Sequence, residues 1–563
     1  MNKYAFVKWG REQDRTPLYS ALVGCVFGLW LIGPRNALPT QIDWLNRGDL
    51  AGLQLGWDFF RQTPYFQWPI TALPNYGVSF NQVSGFGFEI ILKYLSPILP
   101  NNFQYIGMWI IGCFALQGYF AAKILSIFIR ESFLRFSFSL MLIASPTMVF
   151  RVDMGHPLLA AHWLILWALF LYFSREQKTI SWSALVALAV AINIYIAVMV
   201  VVIYAASVCK ILISERQTGA RRRLAGRSAI PLLCGLLSFY LMGFLKYSGS
   251  TVGTGFFRLN LLSFLNPDFT ERDSFSSTLG NFGFLKVRQF FGEEGEGFQY
   301  IGLGAILSLP FLGIYLVRNR SMEWLKTLLP IVVACVFLFM VALSNRVVVV
   351  RNEFDYWVPG RLLDLRQMFR AATRFGWPLY YLLTLAGIVA FYRLLNGRRA
   401  LFVVSLALVT VHIVDQLPGL TYTNRHLTSQ AGYESPLVDP GWEAIASTHS
   451  QVNVFPNFDL QVGEGAPDQE YWNGHWYYFA KYAVDNSMST GFGYFARPIT
   501  QYLTQSNENM LADFSSGNLE RGVIYILSNR STWEDAKAKL SPKSRALILD
   551  GYFVLTGPED ESK

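Results

Sequence analysis

The chain has 563 residues, of which 52% are hydrophobic and 16% aromatic, while only 15% are charged. A soluble protein usually carries about 25% charged residues, so this composition argues against a soluble globular protein. The formal net charge is +9, and the apolar residues are gathered in long runs, as in a polytopic membrane protein.

Eleven apolar segments follow one another along the chain. The first comes after four basic residues and has no small-residue cleavage site behind it, so we interpret it as a signal anchor. We predict a break near Asn193, because one helix over 180–213 would exceed the roughly 20 residues that a bilayer requires. The segments lie at residues 18–33, 104–128, 134–150, 157–173, 180–194, 196–213, 229–246, 299–317, 326–344, 375–394 and 400–416.

Basic residues predict which loops face the cytoplasm. With the N-terminus inside, the cytoplasmic segments hold 21 Lys and Arg against 6 acidic residues, whereas the whole chain is only +9. The basic run Arg216–Arg227 lies between two spans, where it is more often an orientation signal than a nucleic-acid site. We therefore expect no nucleic-acid partner, and an odd number of spans places the C-terminus outside.

All the large segments between spans then lie on the outer face, where we expect the chemistry. They comprise residues 34–102, 246–298 and 344–377, together with the tail after Gln416. The predicted fold is a mainly α polytopic membrane protein with about eleven transmembrane helices, N-terminus inside and C-terminus outside. Its transmembrane domain covers 1–416, and a small extracytoplasmic α/β domain covers 417–563.

Within that tail, strand and helix patterns alternate. Strands are predicted at 451–458, 521–529 and 545–557, and helices at 477–486 and 531–540. Ser531 begins an S-T-W-E pattern that predicts a capping box at the start of the last helix.

An amphipathic helix is predicted in the first outer segment, at "GDLAGLQLGWDFFR". One apolar face comprises Leu50, Leu53, Trp57 and Phe60, and we expect it to lie in the membrane interface. Asp49 at the start of this helix is either only an N-cap or a carboxylate that takes a proton from a hydroxyl. Arg61 ends the helix, while Asp43, in the preceding loop, and Asp58, on the polar side, are weaker candidates for the base.

Two further clusters of ionisable residues lie at predicted outer ends of spans. Arg151, Asp153 and His156 form either a structural Arg–Asp pair or a polar pocket with the first outer segment. Arg370 and Arg374 are four residues apart, as on one helical face, and they bind either ordinary lipid phosphates or a specific phosphate.

Other polar residues carry weaker signals. We expect the acidic stretch Phe290–Tyr300 to be a solvated loop, and Tyr494 and Arg497 to reach back to the membrane site. His475 lies among aromatic residues, which favours packing or sugar stacking over catalysis. The five cysteines lie in or at the edge of apolar spans without metal-ligand spacing, so we predict no metal site. The sequence indicates no certain cofactor and leaves open whether the activity depends on a metal ion.

Four motifs in the same order resemble an uncharacterised bacterial family of membrane proteins placed among the GT-C-type glycosyltransferases. They are "GDLAGLQLGWDFFR", "GHPLLAAHWLILWAL", "NLLSFLNP" and "ATRFGWP". This resemblance implies inverting transfer from a polyprenyl-phosphate-linked sugar to a glycan, lipid or protein, on the outer face of the bacterial inner membrane. Members usually have Gln-His where this chain has Gly52 and Leu53, so another group, such as Glu89 or His156, would have to assist.

Site residues carried over from the resemblance fall into three groups. Asp49 would be the general base, and Arg374, with Arg370, would hold the phosphate of the lipid-linked donor. The sugar and acceptor pocket would comprise Trp57, Arg61, Glu89, Arg151, Asp153, His156, Tyr494 and Arg497. Two other functions stay open, a transporter or flippase of a lipid-linked sugar and a non-catalytic envelope assembly protein.

Overall fold

We analysed a computed structural model of the chain. It describes residues 14–77, 87–174, 178–214, 218–246, 259–267, 295–319, 322–349, 352–357, 359, 369, 371–395, 398–429, 434–457, 469–493, 500–561 and 563. The described part is mainly helical up to Thr428, and a small α/β region follows.

Fourteen helices precede the α/β region within the described ranges. They are α1 Thr16–Ile32, α2 Gly48–Phe60, α3 Glu89–Leu95, α4 Ile106–Leu125, α5 Ser132–Ile143, α6 Pro146–Asp153, α7 Trp163–Phe173, α8 Thr179–Ile192, α9 Ile194–Ser214, α10 Thr218–Leu241, α11 Leu303–Arg318, α12 Met322–Leu343, α13 Trp377–Leu394 and α14 Arg398–Thr428. A short hairpin, β1 Arg346–Val349 with β2 Asn352–Asp355, lies between α12 and α13.

Among the residues that the structure describes, six helical segments are long and apolar enough to cross a bilayer, which makes the chain a multi-pass membrane protein. They are Ile106–Leu125, Ser132–Asp153, Ile194–Ile213, Lys326–Leu343, Ala372–Leu394 and Arg399–Thr428. Five shorter apolar helices complete the set, namely Thr16–Ile32, Pro157–Phe173, Thr179–Ile192, Gly226–Leu241 and Leu303–Arg318. The total of eleven spans and their orientation stay predictions.

Helix breaks occur at two places in this apolar region. The predicted break near Asn193 is confirmed, since α8 ends at Ile192 and α9 begins at Ile194. The segment predicted at 134–150 is not one helix, because Pro146 has no backbone N–H to bond the Leu142 carbonyl. Gln117 Nε2 donates to that carbonyl at 3.1 Å instead, so a side chain satisfies a buried backbone group that the break leaves open.

The small α/β region is confirmed, with details that differ from the prediction. It comprises α15 Pro440–Ala446, β3 Gln451–Phe455, α16 Gln469–Asp485, β4 Ser489–Thr490, α17 Thr500–Ser516, β5 Val523–Leu527, α18 Arg530–Lys537, β6 Arg545–Leu549 and β7 Tyr552–Thr556. The sheet has the order β4-β3-β5-β7-β6, in which β3 is parallel to both β4 and β5.

Two local predictions in this region are wrong. Residues 545–557 form two antiparallel strands, because Asp550 and Gly551 adopt φ values of 46° and 84° and turn the chain as an Asp-Gly pair does in a tight hairpin. The cap of α18 is Asn529, whose side chain accepts from the backbone N–H of Ser531 and Thr532. Ser531 therefore lies inside the first turn.

Helix α2 lies between the membrane helices and the α/β region, not in the membrane interface. Trp57, Phe59 and Phe60 are fully buried, and α2 packs against α16. In the segment that follows α2, the Asn75 carbonyl accepts from Thr490 N–H of β4 and Gly77 N–H donates to the Thr490 carbonyl, both at 3.0 Å. The expectation of an interfacial helix is wrong because the aromatic face meets protein rather than lipid.

The last apolar helix extends beyond its predicted end. The segment predicted at 400–416 belongs to α14, which continues to Thr428. Residues 417–428, predicted as the start of the outer domain, therefore continue the helix and bring His426 towards α2 and α6.

Candidate functional site

Asp49 lies at the start of α2 and contacts His156, which follows α6. The N-cap of α2 is Arg47, in extended conformation, and Gly48 has a φ of 44°, so Asp49 falls in the first turn and is not the cap. Its Oδ2 atom contacts Nε2 of His156, and the two side chains are 31% and 17% exposed. This pair is the half-exposed edge of the site.

Gly155 allows α6 and α2 to approach one another at this point. Its φ is 75°, a conformation that a residue with a Cβ adopts only with strain. A Cβ on Gly155 would lie 3.2 Å from Leu50 Cγ and 3.7 Å from Asp49 Cβ. The "MGH" sequence therefore sets His156 beside Asp49 through close backbone contact.

Beneath that pair lies an ion-pair cluster, which we define as Arg151, Glu296 and Arg374. Arg151 Nη1 lies 2.6 Å from Glu296 Oε2, and Arg151 Nη2 donates to the Glu296 carbonyl at 2.7 Å. Arg374 bonds both carboxylate oxygens at 3.0 Å through Nε and Nη2. Glu296 Oε1 is 3.9 Å from Nδ1 of His156, which connects the cluster to the Asp49–His156 pair.

The structure excludes one of the two alternatives for Arg151 and corrects the prediction for the acidic stretch. Arg151 pairs with Glu296, not with Asp153, and Glu296 is buried rather than part of a solvated loop. Glu293 and Glu294 of the same acidic stretch lie outside the described residues. The correct partner is 145 residues from Arg151, a distance along the chain at which sequence patterns give no pairing information.

Electrostatics within the cluster keep Glu296 ionised. Burial opposes ionisation of its carboxyl, but Arg151 and Arg374 outweigh burial and hold the pKa of Glu296 well below its usual value. Two guanidinium groups around one carboxylate leave an excess of one positive charge at this end of the site. Nη1 of Arg374 makes no hydrogen bond to any residue that the structure describes, so it has donors for an additional anion.

Arg374 is held in place by a short 3-10 helix, Ala372–Gly376, and not by the regular helix expected for its segment. Its guanidinium lies 4.9 Å from the ring centroid of Tyr195. Thr373 donates to the Glu296 carbonyl at 2.9 Å, which joins this helix to the cluster. Arg370, the predicted partner of Arg374, lies outside the described residues.

Three residues predicted in the pocket are engaged in packing of the first outer segment. Trp57 is buried and donates to the Phe103 carbonyl at 3.0 Å. Arg61 donates to backbone carbonyls between Ser96 and Asn101, and Glu89 accepts from the hydroxyl of Tyr105. Tyr494 and Arg497 lie outside the described residues, so their predicted roles are untested.

The alternative bases Asp43 and Asp58 occupy different surroundings. Asp43 pairs with Arg35 at 3.0 Å, near the surface. Asp58 is buried, contrary to the expectation of a polar helix face, and accepts from Gln54 at 2.9 Å. Neither contacts His156 among the described ion pairs, whereas Asp49 does.

Asp153, predicted beside Arg151, instead contacts His426 of α14. His426 Nδ1 lies 3.0 Å from Asp153 Oδ1, and His426 Nε2 contacts Nη1 of Arg47. Sequence reasoning missed Arg47, His426 and Glu296, because none has a local motif and each acquires its partner only when distant helices meet.

No group of three or more His, Cys, Asp and Glu side chains in the described part of the chain is arranged to hold a metal ion. The described residues of the site supply a carboxylate with a histidine partner, next to two guanidinium groups.

Comparison with known families gives two matches. The sequence profile described as "Domain of unknown function (DUF6311)" matches residues 21–416. The profile of the DUF6311 C-terminal domain matches residues 441–557. The chain belongs to this family, and a search of curated proteins finds no match.

Two solved structures are similar to the chain. Both are single-particle cryo-EM structures of the arabinofuranosyltransferase AftD from Mycobacteria, one of them a mutant. The identities are 12% and 14%, each alignment covers 97% of this chain, and each TM-score is 0.48. The alignments cover 40% and 42% of the AftD chains, so this chain spans about two fifths of their length.

Proposed function

We propose that this member of the DUF6311 family is a membrane-bound glycosyltransferase. It moves a sugar from a polyprenyl-phosphate-linked donor to a hydroxyl of an envelope glycan, lipid or protein. The reaction takes place on the outer face of the bacterial inner membrane and inverts the anomeric carbon. The observation that carries this proposal is the contact of Asp49 with His156, next to the ion-pair cluster of Arg151, Glu296 and Arg374.

Asp49 is the general base of the proposed reaction. It is the most exposed carboxylate of the site, whereas Glu296 is buried and committed to two arginines. As the acceptor oxygen attacks the anomeric carbon, its proton passes to the Asp49 carboxylate, and the bond from that carbon to the phosphate oxygen breaks. The electron pair of that bond leaves with the lipid phosphate.

Arg374 stabilises the leaving phosphate in this proposal. Nη1 of Arg374 is available among the described residues, and the cluster carries an excess positive charge, which favours a group that gains negative charge. His156 orients the Asp49 carboxylate through Nε2. His156 thus supplies a histidine next to the proposed base.

The position of the charged cluster disfavours the alternative of a flippase or transporter. Charged substrate sites of transporters lie near the bilayer midplane, at broken helices. The break between α5 and α6 is filled by Gln117, and the charged cluster of this chain lies at the ends of its apolar helices.

The decisive experiment measures sugar transfer by the full chain in nanodiscs with a panel of undecaprenyl-phosphate-linked sugars. Asp49→Asn should fold normally and lose transfer by about 100-fold or more, the usual contribution of a general base. Asp43→Asn, the same substitution in the same outer segment, is the matched control and should retain transfer. Flipping of the lipid without Asp49-dependent transfer would refute the proposal and favour the transporter.

The alternative hypothesis of a non-catalytic assembly protein predicts a different result. Its function in cells would survive Asp49→Asn but not deletion of the α/β region, whereas the proposed enzyme loses its function with either change.

A further inference from the structure

A second polar group lies directly behind the Asp49–His156 pair. It comprises Arg47, which precedes α2, Asp153, the last residue of α6, and His426, in the last turn of α14. Nη1 of Arg47 contacts His426 Nε2, and Nδ1 of His426 lies 3.0 Å from Asp153 Oδ1. The Asp153 side chain is 1% exposed.

Arg47 and Asp153 determine which ring nitrogen of His426 carries the proton. A guanidinium group only donates hydrogen bonds, so Nε2 of His426 must accept from Arg47. The ring proton then sits on Nδ1 and is donated to the carboxylate of Asp153. His426 is a neutral bridge between a cation and a buried anion, and all hydrogen bonds run in one direction.

These three residues connect the two segments that carry Asp49 and His156. Arg47 precedes Asp49 by two residues, and Asp153 precedes His156 by three. Arg47 and Asp153 also attract each other electrostatically, but among the described residues their hydrogen-bond connection runs through His426. Removing the bridge would release both backbone segments and leave a buried carboxylate without its donor.

We propose that Arg47, His426 and Asp153 form a positioning network that holds Asp49 and His156 in contact. This inference rests on the proposed function, since it names residues that act through the base of that reaction. It makes α14, which contributes no residue to the site itself, necessary for the geometry of the base.

Substitutions of His426 separate this role from simple packing. Gln offers both an acceptor for Arg47 and a donor for Asp153, whereas Leu fills a similar volume and offers neither. Arg425→Gln is the matched control, because Arg425 is an exposed neighbour in the same turn of α14. All variants are compared as full chains in nanodiscs after a check of thermal unfolding.

The first readout is turnover with the undecaprenyl-phosphate sugar that supports Asp49-dependent transfer. His426→Leu should lower kcat by about 100-fold, the loss expected for a displacement near 1 Å, with donor KM within about threefold. His426→Gln and Arg425→Gln should retain kcat within about fivefold. Equal effects of Gln and Leu would overturn the proposal.

The second readout is independent of turnover. The chain has six histidines, so ¹⁵N-histidine NMR of the nanodisc sample resolves each ring. We expect an unprotonated Nε2 in His426, and a His156 signal that moves in His426→Leu but not in His426→Gln. A protonated Nε2, or an unmoved His156 signal in His426→Leu, would overturn the network. If no donor is turned over, the proposed function fails while this readout still decides the network.

Discussion

We expect the contact between α2 and α16 to weaken as pH rises, because the buried carboxyl of Asp58 then ionises. Its side chain is buried, and burial, reinforced by Asp485 and opposed by Lys481, raises the pKa of Asp58 to about 7 from an ordinary 3.8. Between these two values the unfolded chain has lost the proton that the folded chain retains. The contribution of Asp58 to stability is therefore full below pH 3.8 and is lost as pH rises to about 7.

The magnitude follows from the same two values. About three pH units at roughly 1.4 kcal/mol each give on the order of 4 kcal/mol above pH 7. Asp58→Asn keeps a neutral side chain that still accepts from Gln54 and does not ionise. The variant should therefore be more stable than the wild type by up to roughly 4 kcal/mol at pH 8, and by little near pH 4.

Hydrogen exchange of backbone amides in α2 and α16, corrected for intrinsic rates, measures this local free energy at both pH values. Asp43→Asn is the control, since Asp43 is a partly exposed partner of Arg35 and its change should stay within about 0.5 kcal/mol at both pH values. Equal protection of Asp58→Asn and wild type at pH 8, or a gain that is the same at both pH values, would refute the reasoning.

Three further substitutions test other parts of the structure. Glu296→Gln removes the anion between Arg151, which is buried, and Arg374, whose side chain is 13% exposed. It should lower stability by about 3–5 kcal/mol, seen as a lower thermal midpoint, and an unchanged midpoint would contradict the ion-pair cluster. Asn529→Ala should destabilise the α/β region by about 1 kcal/mol in denaturant titration while Ser531→Ala changes little, and the reverse order would restore Ser531 as the cap. Gly155→Ala should strain a backbone at φ 75° and push against Leu50, costing about 1–2 kcal/mol, and hydrogen exchange in α2 no faster than in wild type would argue against this contact.

Much of the fold followed from local sequence patterns. Apolar runs predicted the helices, since the hydrophobic requirement of a span is met within about 20 consecutive residues. The break at Asn193 and the alternation of strand and helix in the tail were predicted from the same short-range signals. The Asp550–Gly551 pair is itself a local turn signal, and in the structure both residues have positive φ values that end β6 and begin β7.

Residues of the candidate site could be nominated from the sequence, but their partners could not. Asp49, His156, Arg151 and Arg374 were each singled out as charges that are costly beside a membrane unless they are paired or functional. Spacing left open whether Arg151 pairs with the neighbouring Asp153 or lines a polar pocket, whereas the structure pairs it with Glu296.

The sequence by itself determined the membrane class, the positions of most helices and some of the charged residues that need partners. Only the tertiary structure decided that Asp49 meets His156, that Glu296 is buried, and that His426 bridges α2 and α6. The physical reason is the distance along the chain over which each kind of interaction acts. Helix formation and membrane insertion depend on residues within a few turns. The polar contacts of the site join residues that packing brings together from distant segments, 145 residues apart for Arg151 and Glu296 and 379 residues apart for Arg47 and His426.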